Sequence, residues 1–254
     1  MLSVKSKKSN QILLEGRRLI QDAINVGIIP EKIFYTRKKD LDKLNNLEEL
    51  SGVQLFKIPY KDMQLWSGLT TCPGILAICK KPNIIEKKDN CIPVTVVCDQ
   101  VREPGNLGAI IRCAAGAGIE KVLLTKGCAD LWDSKVLRGA SGAHFHLPVI
   151  NDITWETFSD YIGPDVNFLL AVNQPLSVYS VPCYPYHSID YKNSKETVIV
   201  IGGETEGLSE SVYRIANEFK GKAINIPLAN NVESLNCVSA MSVILFEIKR
   251  QLCS

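Results

Sequence analysis

The sequence predicts an α/β fold in which a parallel sheet carries helices on both faces. Three observations lead to this class. From residue 92 onward, short apolar runs rich in β-branched residues alternate with helical patterns. The strongest apolar run, 92–98, is too short to cross a bilayer and indicates a buried strand. With 254 residues, 46% apolar and 22% charged, the chain has the composition of a globular protein without a membrane span.

Residues 1–82 predict a smaller α/β domain. A helical stripe of apolar residues covers 10–26 and ends at Gly27. Further elements are predicted as strands at 32–35, 53–58 and 74–79 and as helices at 41–50 and 61–67. Pro82 then begins a polar, charged stretch. We therefore expect a linker at 83–91 between two domains.

Residues 92–254 predict the larger, parallel-sheet domain. Its strands are expected at 93–99, 121–125, 166–172, 196–202 and 222–227. Its helices are expected at 105–117, 132–139, 154–162, 208–218 and 234–251. An inserted loop at 174–195, rich in proline and tyrosine, interrupts the alternation; its tyrosines could stack on unpaired bases or have no such role. Ligands of such sheets bind beyond the carboxyl ends of the strands, so the polar residues there are the candidates.

The first candidate segment, 99–118, reads DQVREPGNLGAIIRCAAGAG. A strand ends at Asp99, a Pro-Gly turn follows, and Asn106 stands where the next helix begins. Arg112 lies nearly two turns further along, among apolar neighbours. A buried guanidinium is expensive unless paired, so we expect Arg112 to meet either an anionic ligand or a structural carboxylate.

The second segment, 201–209, reads IGGETEGLS. Its glycines allow the backbone to approach a ligand closely, and Glu204 is expected at the rim of the sheet. A glycine-rich turn can equally be structural. No Gly-Lys-Ser/Thr follows, and no GxGxxG follows the first strand, so neither a P-loop nor a nicotinamide-binding domain is indicated.

The third segment, 224–246, has a strand that ends at Pro227, a polar loop, and an apolar helix expected to begin at Ser234. Ser234 could be an N-cap, a frequent role for serine. Asn236 is less expected within a first helical turn. Polar side chains on both sides of Leu235 suggest a loop that lines a ligand.

Taken together and in this order, the segments resemble the three signature motifs of the SpoU (TrmH) branch of the SPOUT methyltransferases. Each motif alone is weak, but three in order at strand ends are specific. The matching residues are Asn106 and Arg112 in the first motif, Gly202, Glu204, Gly207 and Leu208 in the second, and Ile226, Pro227, Ser234, Leu235 and Asn236 in the third. The resemblance covers 92–252, while 10–80 is similar to the family's small ribosomal-protein-like, substrate-binding domain.

The resemblance implies a trefoil-knotted domain that binds S-adenosylmethionine and, as a homodimer, methylates a ribose 2′-hydroxyl of RNA. The cofactor positions are Gly202, Ile226 and Leu235. The implied catalytic positions are Arg112 for activation or charge stabilisation, Asn106 and Asn236 for placing ribose and loop, Glu204 for orientation, and Ser234 near the transferred methyl group. A catalytically silent, RNA-binding ribosome-assembly factor on the same fold remains the alternative.

Within the family, the first segment and the inserted loop are most similar to those of mitochondrial large-subunit rRNA methyltransferases. This similarity implies that the protein is located in the mitochondrial matrix. If the N-terminus of this sequence is complete, the expected location is the cytoplasm. The nine cysteines show no zinc-ligand spacing, so no metal is expected.

Charge is unevenly distributed along the chain. Residues 1–39 carry about +6 and the remainder about −4, which favours a polyanion contact near the N-terminus, with a solvated basic face as the alternative. The candidate RNA contacts are Arg17, Arg18, Lys135 and Arg138, which could also be simply solvated.

Overall fold

The computed structural model describes residues 10–83, 89–173, 181–204 and 206–253. The chain forms two separate β-sheets, and the smaller one comes first in sequence. Its strands are β1 (Gln11–Glu15), β2 (Pro30–Tyr35), β3 (Gln54–Lys57) and β4 (Ile75–Lys80), with helices α1 (Arg17–Asn25), α2 (Lys38–Leu41) and α3 (Tyr60–Trp66) between them. The strand order is β1-β4-β2-β3, and the β2–β3 pair is parallel.

The larger sheet has seven strands, and each neighbouring pair is parallel. The strands are β5 (Ile92–Asp99), β6 (Ile119–Thr125), β7 (Val149–Ile153), β8 (Val166–Ala171), β9 (Cys183–Pro185), β10 (Glu196–Gly202) and β11 (Lys222–Asn225). The helices are α4 (Pro104–Ala117), α5 (Ser134–Ala140), α6 (Glu210–Glu218) and α7 (Cys237–Leu252). The predicted alternation of strand and helix is confirmed.

Helices cover both faces of this sheet, as predicted. Alternate residues of β5 point to opposite sides: Val96 packs in the core that contains α4, α5 and α7, whereas Val97 packs in the core that contains α6. The strand order is β7-β6-β5-β10-β8-β11-β9. The connection that follows β5 leads to β6 on one side, and the connection that follows β10 leads to β11 on the other side, so the direction of the connections changes between β5 and β10. Such a switch point is where parallel sheets bind ligands.

The helix predicted over 10–26 is wrong in its first half, which forms β1. Ile12 and Leu14 pack on one side of this strand and Leu13 on the other, in two different cores. Burial on both faces removes the period-two pattern by which a strand is recognised. Gly16, at φ +95°, then separates β1 from α1, because a side chain there would be strained.

Two other predicted helices are shorter than expected. The segment 41–50 yields only the end of α2 and a 3₁₀ turn at Leu47–Glu49, and the segment 154–162 yields a 3₁₀ turn at Phe158–Tyr161. Strands β7 and β9 were not predicted. None of the helices within the described ranges is long and apolar enough to span a membrane.

Two residues in the second half of the predicted inserted loop, Ile189 and Tyr191, are part of the core. Within 181–195, Tyr191 is almost fully buried, and its hydroxyl donates to the Tyr186 carbonyl at 2.7 Å. The Tyr191 backbone N–H also donates to Gln251 Oε1 of α7 at 3.3 Å. Base stacking by Tyr191 is therefore excluded. Residues 174–180, which include Tyr179, lie outside the described residues.

The two sheets share a core at their junction. Leu137 of α5 and Phe145 pack in the same apolar cluster as Ile12 and Leu14 of β1. The close approach continues at Gly68, where a Cβ atom would lie 2.9 Å from Ser134 Oγ. Domain limits at 82 and 92 stay a prediction.

Candidate functional site

The three sequence segments meet at the side chain of Asn236. Its Nδ2 donates to Asn106 Oδ1 at 3.3 Å and to Glu204 Oε1. Asn106 belongs to the first segment, Glu204 to the second and Asn236 to the third. In the sequence, these three residues are related only by the order of their motifs. The structure places their side chains in contact.

The first of these residues is fixed by the start of α4. Pro104 occupies the first helical turn, where its missing N–H costs nothing. The Glu103 side chain caps the helix by accepting from the Asn106 backbone N–H at 2.5 Å. Asn106 is consequently held in the first turn of α4 with its side-chain amide free to turn toward Asn236.

The second segment is a tight loop that folds back on the end of β10. A Cβ atom on Gly202 would lie 2.1 Å from the Gly207 carbonyl oxygen, so only glycine fits. Gly203 and Gly207 form an isolated antiparallel bridge. At the outer side, Arg102 Nη1 pairs with Glu206 Oε1 at 2.7 Å. The loop thereby carries Glu204 to the carboxyl edge of the sheet.

The third segment differs from its prediction in where the helix begins. Asn236, not Ser234, is the N-cap of α7, because Asn236 Oδ1 accepts from the Val238 N–H at 2.8 Å. Ser234 and Leu235 lie in the preceding loop, and Ser234 is exposed. Capping thus explains the asparagine at position 236, which is unexpected from helix propensity. Its amide nitrogen is not used by the cap and makes the contacts with Asn106 and Glu204.

A cavity of about 890 Å³ lies between the loops of the second and third segments. This volume is within the range of roughly 300–1,000 Å³ usual for small-molecule sites. Its apolar walls include all three predicted cofactor positions, Gly202, Ile226 and Leu235. Three carboxylates also line it, from Glu204, Glu206 and Glu233.

The charge of this cavity favours a cationic ligand. Within the described ranges, no lysine, arginine or histidine lines it, so a phosphate-bearing cofactor would find no counter-charge. A sulfonium with an apolar and aromatic body matches carboxylates set among aliphatic walls. The residues present therefore fit S-adenosylmethionine.

Cys237 also lines the cavity, but its thiol is not prepared for nucleophilic chemistry. Burial, and secondarily the negative charge of Glu204, raise the pKa of Cys237 to about 11. A thiolate is the reactive form, and it is scarcely populated near neutral pH under these conditions. The polar groups that the site offers to a ligand are therefore the amides of Asn106 and Asn236 and the carboxylates that line the cavity.

A protein-family model described as the SpoU rRNA Methylase family matches residues 93–246. The chain belongs to this family. Human mitochondrial rRNA methyltransferase 3 is 38% identical over 300 residues, covering 99% of this chain and 71% of the relative. A 23S rRNA guanosine 2′-O-methyltransferase of Bacillus subtilis is 29% identical, covering 95% of this chain and 90% of the relative.

Solved SpoU structures share the fold. The methyltransferase AviRb of Streptomyces viridochromogenes, solved with AdoMet, matches with a TM-score of 0.82 and 22% identity, over 99% of this chain and 95% of that one. An AdoMet-bound rRNA methyltransferase of Sinorhizobium meliloti matches with a TM-score of 0.78 and 24% identity, over 96% of this chain and 89% of that one. The predicted α/β fold of the SpoU methyltransferases, with a mostly parallel sheet, is confirmed.

The SpoU family's candidate activator, Arg112, does not lie where the sequence suggested. Its side chain is exposed on α4, and it is absent from the cavity lining. Within the part of the chain that the structure describes, no carboxylate lies within ion-pair distance of its guanidinium. The expectation of a buried arginine in need of a partner is wrong. An exposed cation is instead free to meet a phosphate.

The four candidate RNA contacts are exposed as well. Arg17 and Arg18 begin α1, and Arg17 Nη1 donates to the Lys43 carbonyl at 3.5 Å. Lys135 and Arg138 lie on α5. Among the described residues, no group of three or more His, Cys, Asp or Glu side chains could hold a metal ion.

Sequence reasoning missed Asp99, the last residue of β5. This carboxylate is fully buried, and it accepts from Ser209 N–H at 2.7 Å, Trp155 Nε1 at 3.2 Å and Thr125 Oγ1 at 3.4 Å. It thereby ties the loop that carries Glu204 to the first segment. An acid that directly follows the apolar run VTVVC was the available signal, since a carboxylate at that depth needs donors.

Proposed function

We propose that the chain transfers a methyl group from S-adenosylmethionine to a ribose 2′-hydroxyl of mitochondrial large-subunit ribosomal RNA. The observation that carries the proposal is the contact of Asn236 with Asn106 and Glu204 beside a cavity lined by carboxylates. The relatives named above support an rRNA substrate, and the human relative supports a mitochondrial location.

The cofactor positions in this proposal are Gly202, Ile226 and Leu235, whose loops form the apolar walls. S-adenosylmethionine, when bound, supplies an electrophilic methyl group on a positively charged sulfur. The negative charge of Glu204 and Glu233 favours a cation in the cavity by Coulomb attraction, whereas Glu206 is already paired with Arg102. Gly202 keeps the cavity open because its backbone touches the returning loop without a side chain.

The polar residues position the substrate. Asn106 and Asn236 place the ribose and the loop through their amides, and Glu204 orients the Asn236 amide by accepting from it. Ser234 offers an exposed hydroxyl on the cavity wall, and by the family resemblance it would hydrogen-bond near the methyl group of a bound cofactor. A 2′-hydroxyl is a poor nucleophile, so the negative charge that develops on it needs a stabilising cation. The family resemblance assigns this role to Arg112, and a guanidinium suits it because it stays protonated and is a reluctant base.

Four exposed cations contribute to RNA binding in this proposal. The approach of Gly68 to Ser134 Oγ and Glu15 Oε1 brings the end of β1 beside the start of α5. Arg17 and Arg18 follow β1 directly, and Lys135 and Arg138 lie on α5. Together they flank one junction between residues 1–82 and 92–254. Phosphates that cross this junction would gain contacts from both parts.

The active form is a homodimer in this proposal. Val243 and Phe246 lie one turn apart on α7 and are 38% and 49% exposed. Apolar side chains grouped on one helix face favour contact with a protein surface. A second copy of the chain is the partner that the family resemblance implies.

The test is methylation of a mitochondrial large-subunit rRNA transcript by the purified chain, with every 2′-O-methyl mark mapped. We expect one position to be modified, and Asn236→Ala to reduce its modification by about 10²-fold. Asn217→Ala, an exposed asparagine replaced on α6, is the matched control and leaves the mark unchanged.

Two outcomes would contradict the proposal. Failure to bind S-adenosylmethionine would remove the cofactor assignment. Cofactor binding without a mark, both on free rRNA and on isolated large-subunit precursors, would favour the alternative of a catalytically silent assembly factor.

A further inference from the structure

A second cavity, of about 670 Å³, lies in the smaller sheet and uses none of the signature residues. It opens at the carboxyl ends of the parallel strands β2 and β3, the edge at which parallel strands usually bind ligands. Its lining residues are Thr36, Arg37, Lys57, Ile58, Pro59, Tyr60, Cys72, Pro73 and Gly74. The excess of positive charge in residues 1–39 predicted a polyanion contact in this part of the chain, but no sequence pattern singled out this cavity.

This cavity has the opposite charge to the first. Arg37 and Lys57 line it, and among the described residues no aspartate or glutamate does. Asp40 is the nearest acid to the arginine, and it binds Arg37 Nε at 2.9 Å and Nη2 at 3.3 Å. This pairing fixes the guanidinium plane and does not use Nη1. Because Asp40 balances the charge of Arg37, the cavity presents Lys57 as a cation and Arg37 Nη1 as a further donor to an anionic ligand.

The same cavity presents an aromatic ring. Tyr60 is 47% exposed, and its hydroxyl lies 3.3 Å from Gln64 Oε1 and 3.4 Å from the Cys72 carbonyl. A half-exposed ring held at its hydroxyl end can serve as a platform for a planar ligand. An aromatic platform beside a lysine and a free guanidinium N–H group matches a base together with its phosphate.

We propose that this cavity binds an unpaired nucleotide of the RNA substrate, with the base stacked on Tyr60 and the phosphate held by Arg37 and Lys57. The choice of RNA over a free nucleotide rests on the proposed function. The site lies in the part of the chain outside the methyltransferase signature, so it serves substrate recognition and not methyl transfer.

The experiment measures binding of a single-stranded oligouridylate to the full chain without cofactor. Tyr60→Leu is expected to weaken binding by about tenfold, since stacking of one base has roughly this effect. Lys57→Ala is also expected to weaken binding, because it removes one contact with a phosphate. Lys57→Ala also lowers the salt dependence of binding, whereas Tyr60→Leu leaves it unchanged, because only the lysine meets a phosphate. With thiouridine in the oligonucleotide, ultraviolet light is expected to crosslink it to the peptide that contains Tyr60.

Matched controls separate the site from general effects. Tyr161→Leu removes a half-exposed tyrosine of the larger part, and Lys43→Ala removes another exposed lysine of the smaller part. Both are expected to bind as the unchanged chain does. Affinity for S-adenosylmethionine, measured in parallel, reports that each variant is folded and that the first cavity is intact.

Unchanged RNA affinity in both Tyr60→Leu and Lys57→Ala would overturn the proposal. So would binding of uridine monophosphate at Tyr60 without competition by RNA, which would assign the cavity to a free nucleotide. Loss of methyl transfer with normal oligouridylate binding would count against the proposed function and leave this site standing.

Discussion

At the scale of single residues, Asn236 combines two tasks that only an amide can combine. Its oxygen accepts from the Val238 N–H to cap α7, and its nitrogen donates to Asn106 and Glu204. A carboxylate could cap the helix but could not donate, and a serine side chain is shorter. The start of one helix and the convergence of three segments therefore depend on one side chain.

Asn236→Asp separates these tasks. The new carboxylate keeps the cap, so we expect the melting temperature to change little. It can no longer donate to Asn106, and it faces the like charge of Glu204. We therefore expect methyl transfer in single-turnover assays to fall by about 10²-fold or more. Near-normal transfer by this variant would show that the convergence of the three segments is not needed for the chemistry.

Arg112 provides a second prediction, because it is exposed and lies outside the cavity. We expect Arg112→Ala to reduce methyl transfer by about 10²-fold or more while leaving S-adenosylmethionine affinity largely intact. Calorimetry and single-turnover assays measure the two quantities separately. Arg214→Ala, which removes an exposed arginine from α6, is the control and should change neither. Normal turnover by Arg112→Ala would remove this residue from the mechanism.

His144 predicts a dependence of stability on pH. It is buried, its Nε2 lies 2.9 Å from the Leu131 carbonyl, and its Nδ1 has no partner among the described residues. Burial lowers the pKa of His144 from 6.5 to about 4. The unfolded state then binds a proton more readily than the folded state below about pH 6.5, so acid favours unfolding.

Denaturant unfolding measured from pH 7 down to about pH 5 tests this. The free energy of unfolding should fall by about 2 kcal/mol from His144 alone across this range. His144→Phe should flatten the dependence, whatever its effect on absolute stability. His146→Phe, at an exposed neighbouring histidine, should keep the slope. An equal slope in the unchanged chain and in His144→Phe would contradict the assignment.

At the scale of elements, the sequence predicted those strands and helices that have a local pattern of apolar and polar residues. Five of the seven strands of the larger sheet were predictable, and so were the polar residues at the ends of three of them, because each signature segment follows a short apolar run. Strand β1 could not be predicted, since burial on both of its faces removes the alternation of apolar and polar residues. The exposure of Arg112 was misjudged from its neighbours in sequence. On a helix, the buried residues Ile111 and Ala114 lie on a different side, and Arg112 shares a side with exposed Gly116.

The packing of α4 on α5 depends on a glycine contact. A Cβ atom on Gly108 would lie 2.4 Å from the Val136 carbonyl oxygen, whereas on Gly116 of the same helix it would meet nothing within 4 Å. We therefore expect Gly108→Ala to lower the free energy of unfolding by about 1–3 kcal/mol. Gly116→Ala should raise it by up to about 1 kcal/mol, because alanine favours the helix. Equal effects of the two substitutions in denaturant unfolding would show that the helices do not pack as closely as described.

At the scale of the whole molecule, the two sheets divide recognition by charge. The cavity of the larger sheet is lined by three carboxylates and suits a cation, while that of the smaller sheet carries Arg37 and Lys57 and suits an anion. A methyl donor is cationic and RNA is anionic, so each cavity disfavours the other's ligand. The shared core at Leu137 and Phe145 holds the two sheets together. A cation site and an anion site in one body let the molecule bring donor and substrate together without competition.

The exposed face of α7 predicts the assembly. Phe246→Asp places a charge where Phe246 and Val243 together form an apolar surface, so burial of that surface against a second copy would become unfavourable. We expect sedimentation velocity to find a dimer for the unchanged chain and a monomer for Phe246→Asp. Leu65→Asp is the control, because Leu65 is 81% exposed on α3, in the smaller part, and its substitution should leave the dimer intact. A monomeric unchanged chain, or a Phe246→Asp variant that remains dimeric, would show that α7 does not form the interface.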